Sequence, residues 1–116
     1  MNEIANKYNT KANDVKVIKC DVKQPQEIIS ACKQIKIWSN DNVNLLLNNV
    51  GATSFNTNLE NTTLKQWDMA INLNLRAAFL FTQGLLSSLK NAAKSPNKYG
   101  DNVYDGAVIN ISSALA

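Results

Sequence analysis

The chain has 116 residues, 45% hydrophobic and 18% charged, the proportions of a folded soluble domain rather than of a disordered tail. Its net charge of +3 comes from scattered lysines with no basic stripe for nucleic acid, and no apolar run reaches the length of a membrane span or a signal-peptide core. There is no histidine and no CxxC, so Cys20 and Cys32 lack the partners of a zinc site; they read as buried thiols of a reducing compartment, and the chain as cytoplasmic.

Helical spacing runs from about Asn2 to Lys11 and ends in a polar cluster up to Asp14, after which Val15 to Cys20 alternates as a strand with Asp21 at its end. Pro25 fits a helix start, and Ile28, Ile29, Cys32, Ile35 and Trp38 recur as one amphipathic face. Ser39 to Asn42 closes that helix with turn residues.

The segment VNLLLNNVGATS, Val43 to Ser54, is the most informative in the chain. A short apolar run stops at Asn48 and Asn49 and then at Gly51, the pattern of a buried parallel strand that delivers its loop to a ligand. After a loop to about Thr62, Thr63 with Gln66 forms a capping-box pattern, opening a long helix to about Lys94. Its apolar stripe reads Trp67, Ile71, Asn74, Ala78, Phe81, Leu85, Leu89, which assigns Asn74 to the core. Ser95 to Asp105 reads as an exposed loop, and Gly106 to Ile111 as a third strand that hands over to Ser112 and Ser113.

The order helix, strand, helix, strand, helix, strand predicts an α/β fold, a doubly wound parallel sheet with helices on both faces. Several polar residues stand where such sheets bind ligands, each with an ordinary structural alternative. Asn74 is either a core amide satisfied by a neighbouring carbonyl or a site residue. Ser113 is a turn former, a helix cap or a donor to a substrate oxygen. Asp21 is a helix N-cap or an acceptor for an adenine amino group, and Asn48, Asn49 and Gly51 could form a plain turn.

Taken together and in order, CDV (Cys20 to Val22), NNVG (Asn48 to Gly51), WDMAINLNLRAAFLFTQ (Trp67 to Gln83) and GAVINISSA (Gly106 to Ala114) resemble the short-chain dehydrogenase/reductase family. The resemblance implies a Rossmann-like domain that binds NAD or NADP and acts on a small carbonyl or alcohol substrate. Asp21, with Val22 beside it, corresponds to the aspartate that contacts the adenine ring. Asn48, Asn49, Val50 and Gly51 correspond to the element that steadies the central sheet beside the cofactor, with Val50 where Ala is usual. Asn74 corresponds to the active-site asparagine that holds a relay water, and Ser113 to the serine that hydrogen-bonds the substrate carbonyl.

The family's glycine-rich phosphate turn does not occur before Asp21, and its YxxxK motif does not occur after Ser113. Tyr99 and Tyr104 precede the serine, and neither is followed by Lys at the family spacing. The expectation is therefore a central portion, residues 1–116, of one Rossmann-like domain truncated at both ends and inactive alone. In the family's sheet order this portion supplies the third, fourth and fifth strands, so the first of the three expected strands is not adjacent to the other two. The resemblance also implies a homo-oligomer assembled through the 63–94 helix. The alternative from another class is a non-catalytic Rossmann-like module that binds a dinucleotide without turning it over.

Overall fold

The computed structural model describes residues 15–52, 58–94 and 106–112. The helix expected over Asn2 to Lys11, the 95–105 loop and Ser113 lie outside them. The first described helix, α1, spans Pro25–Trp38 with proline in its first turn, where a missing N–H costs nothing. Gln24 is the N-cap and makes no side-chain cap bond. Asp21 does not cap this helix but forms a turn: its Oδ1 accepts from the Lys23 N–H at 3.0 Å, and its own N–H donates to Glu27 Oε2 at 2.7 Å. At the other end Asn40 and Asp41 take φ of 51° and 54°. The Asp41 N–H donates to the Lys36 carbonyl at 2.8 Å and the Asn40 N–H to that of Ile37 at 3.4 Å, a Schellman closure.

Two strands follow, β1 (Leu45–Asn48) and β2 (Ala107–Asn110), paired in parallel with Leu45 opposite Ala107 and Asn48 opposite Asn110. Between them lie a short 3-10 turn, Leu59–Asn61, and a long helix in three parts: α2 (Leu64–Ile71), a π-turn (Asn72–Arg76) and α3 (Ala77–Lys94). The capping box at its start is complete. The Gln66 N–H donates to Thr63 Oγ1 at 3.3 Å, and the Thr63 N–H to Gln66 Oε1 at 2.8 Å. The expected strand Val15 to Cys20 carries no ladder among the described residues.

The core lies between α1, α3 and one face of the sheet. Ile28, Cys32, Ala77, Leu85 and Leu89 are buried, with Leu46, Val43 and Phe81 packed partly against them. On α1, Ile28, Ala31 and Cys32 are buried, whereas Ile29 and Trp38, expected on the same face, are 43% and 48% exposed. Ile29 lies about 100° around the helix from Ile28, and Trp38 stands in the last turn. Ser88 is the buried polar residue of this core. Its hydroxyl donates to the Asp41 carboxylate, which also accepts from Asn91 Nδ2 at 3.1 Å, tying the end of α1 to α3.

On the face of the sheet away from α1 and α3, Leu45, Leu47 and Ile109 are 50%, 53% and 45% exposed. The expected helical stripe breaks: Trp67 is 56% exposed and Asn74 is exposed, not in the core. The π-turn takes up an extra residue, so the apolar positions before and after it do not share a face. Only its second half, through Leu85 and Leu89, packs inside.

Gly106 returns the chain into β2 at φ 78°, in the left-handed region. A Cβ there would stand 2.4 Å from the Leu89 carbonyl oxygen, so α3 is seated directly on a bare backbone.

Candidate functional site

The carboxyl ends of β1 and β2 open onto a cleft of 370 Å³ lined by Asn48, Val50, Asn74, Phe79, Thr82 and Asn110, among others. Each amide arrives there for a reason visible in the backbone. Asn48 and Asn110 are the last paired residues of the two strands, and in a parallel ladder paired residues project to the same side. Asn48 Nδ2 donates to Asn110 Oδ1 at 2.8 Å and to Thr82 Oγ1 on α3 at 3.4 Å.

Asn74 sits in the middle of the π-turn, a local geometry frequent at functional sites. Its Oδ1 accepts from the Ala52 N–H at 2.9 Å, while Nδ2 donates to the carbonyls of Ala52 at 3.2 Å and Ala70 at 3.0 Å. Both amide protons are therefore committed to backbone, and Oδ1 keeps a second lone pair. Gly51 makes this approach possible, because a Cβ at that position would stand 3.2 Å from Asn74 Oδ1.

The cleft thus brings together Asn48, Val50 and Asn74, with Gly51 against Asn74, while Asn49 is exposed next to them. Asp21 and Val22 do not line it: Asp21 is exposed in its turn, and Val22 packs partly against the core. Ser113 lies outside the described residues. Asn110 and Thr82 were missed by sequence reasoning. The signal was available for Asn110, since an amide at the end of the next parallel strand falls in register with Asn48.

Cys20 and Cys32 are free thiols, and both are displaced toward higher pKa. Burial is the main cause for each; Glu27 and Asp21 add to it at Cys20, while Lys36 opposes it at Cys32. No helix among the described residues is long and apolar enough to cross a membrane.

Residues 1–116 match the family profile described as short chain dehydrogenase. Among solved structures, the chain is similar to an NADPH-bound carbonyl reductase from chicken fatty liver, at 30% identity and a TM-score of 0.80, covering 97% of this chain and 42% of that one. It is also similar to a putative carbonyl reductase, Sniffer, of Caenorhabditis elegans, at 29% identity and a TM-score of 0.74, covering 97% and 48%. An NADH-dependent reductase, A1-R', responsible for alginate metabolism aligns at 25% identity and a TM-score of 0.59, over 66% of this chain and 30% of that one. The chain therefore spans less than half the length of the solved structures it resembles. A search among curated proteins gave no match.

Proposed function

The chain belongs to the short-chain dehydrogenases, and on that premise we propose that it is the central part of a longer oxidoreductase that transfers a hydride between NAD or NADP and a carbonyl or secondary alcohol. The observation that carries this reading is the convergence of Asn48, Asn74 and Asn110 on one cleft at the carboxyl ends of parallel strands, where ligands of open α/β sheets bind. The residues present fit a dinucleotide. The Asn48 to Gly51 loop offers amides, and its bare glycine lets the backbone come close to Asn74. These residues, together with Asp21 and Val22, are the ones that would hold it; when bound, it supplies or accepts the hydride.

The remaining chemistry belongs to side chains. Asn74, fixed through Ala52 and Ala70, presents the free lone pair of Oδ1 to a water and so anchors a proton relay. Ser113 donates a hydrogen bond to the substrate carbonyl. The resemblance implies a tyrosine with a neighbouring lysine as the general acid. The two free, proton-retaining thiols suit a reducing, cytoplasmic location.

Sequencing the transcript past Ala116 tests the reading. A YxxxK motif shortly after Ser113 supports it. A complete transcript without that motif leaves a dinucleotide-binding module that performs no turnover.

A further inference from the structure

The hydrogen bonds at the strand ends assign a role to a residue that neither the stripe nor the loop pattern singled out. Asn48 makes two hydrogen bonds to the end of β2 and the residue after it. Its Nδ2 donates to Asn110 Oδ1 at 2.8 Å, and its carbonyl accepts from the Ile111 N–H at 2.9 Å. These two bonds, closed by the peptide between Asn110 and Ile111, form a cross-link at the last paired position of the ladder. Ser112 follows immediately, so the direction in which the chain leaves the sheet is set here.

We propose that Asn110 is a positioning residue: acting through Asn48, it holds the carboxyl end of β2 against that of β1. It thereby sets the direction in which Ile111 and Ser112 leave the sheet at the mouth of the cleft. The inference rests on reading this cleft as a hydride-transfer site.

Three observations favour positioning over plain stability or direct ligand binding. Asn110 is exposed, so its side chain fills no core space whose loss would unfold the protein. Asn48 is half-buried, and its other acceptor, Thr82 Oγ1, is long at 3.4 Å, so Asn110 Oδ1 is the short bond that fixes the Asn48 amide. Finally, it is the acceptor end of Asn110 that is engaged, while its Nδ2 has no hydrogen-bond partner among the described residues. The part of the side chain that matters is therefore an oxygen, which aspartate preserves and leucine or alanine does not.

The test uses the full-length protein carrying this sequence, as wild type and as Asn110→Leu, Asn110→Ala and Asn110→Asp. Two readouts are taken: hydrogen exchange at the Ile111 amide, which needs no turnover, and kcat, KM and cofactor affinity with NADPH or NADH and a carbonyl substrate. Leu and Ala should each speed Ile111 exchange and lower kcat by about 10-fold, the scale of one net hydrogen bond, with cofactor affinity within about twofold. Asp should restore both. Using both Leu and Ala keeps the comparison if one of them folds poorly. Unchanged Ile111 protection in the Leu or Ala variant overturns the proposal. So does an Asp variant as damaged as Leu, which would assign the Asn110 donor end to a ligand. A wild-type protein without turnover that still shows the exchange pattern counts against the proposed activity and leaves the positioning role standing.

Discussion

Asn74 and Ala52 form a closed pair in which one side-chain amide satisfies both backbone groups of a single residue. Oδ1 accepts from the Ala52 N–H at 2.9 Å and Nδ2 donates to the Ala52 carbonyl at 3.2 Å. The pair clamps the loop after β1 onto the π-turn, beside the cleft. If it also anchors a relay water, Asn74→Leu in the full-length protein should leave cofactor affinity nearly intact and lower kcat by about 10²-fold, the scale of losing a proton-transfer element. A folded variant that binds cofactor and retains its kcat would remove Asn74 from the site.

Gly106 makes a prediction about stability alone. At φ 78°, with the Leu89 carbonyl 2.4 Å from any added Cβ, alanine there meets both a strained backbone and a clash with α3. Gly106→Ala should therefore destabilise the full-length protein by about 1–3 kcal/mol or more, read as a lower denaturant midpoint at unchanged slope. An unchanged midpoint would mean that α3 does not sit on this glycine.

The thiols predict an alkaline dependence. Burial raises the pKa of Cys32 in the folded state, so the native protein holds that proton more tightly than the unfolded chain does. The sign follows: this contribution is fully present below the unfolded thiol pKa, about 8.5, and is lost as pH rises through the folded value. The melting temperature should fall on the alkaline side, and less steeply in Cys32→Ala. Alkylation of Cys32 at pH 7 as fast as a free thiol would contradict the burial.

Trp67 and Met69 on α2 are 56% and 48% exposed, and Leu86 on α3 is 44% exposed. Such apolar surface on a helix that already buries one face is expected to meet a second copy of the protein. Sedimentation of the full-length protein should give a dimer or tetramer, and a stable monomer at micromolar concentration would contradict it.

The parts of this structure that were legible in the sequence are those fixed by neighbours along the chain. Pro25 at the start of α1 and the Thr63–Gln66 box at the start of α2 are local chemistry, and each falls where its pattern puts it. The apolar run that stops at Asn48 and the segment Gly106 to Ile111 likewise mark β1 and β2. The π-turn was not legible, because apolar spacing on either side of it reads equally well as one continuous α-helix. That single inserted residue is why Asn74 was placed in the core and is instead exposed against Ala52. Of the two readings open for Asp21, the N-cap falls away, because where the backbone begins to coil is decided by Gln24 and Pro25. Asn110 became meaningful only through the register that sets it beside Asn48.

The central claim is that the cleft belongs to an enzyme that moves a hydride, and turnover tests it most directly. The full-length protein carrying this sequence should consume NADPH or NADH, followed by loss of the reduced nicotinamide absorbance, when a panel of small carbonyl compounds is added. That rate should fall by about 10²-fold or more in Ser113→Ala, with cofactor affinity retained. Tight cofactor binding with no turnover of any carbonyl or alcohol, or turnover that survives Ser113→Ala unchanged, would contradict it.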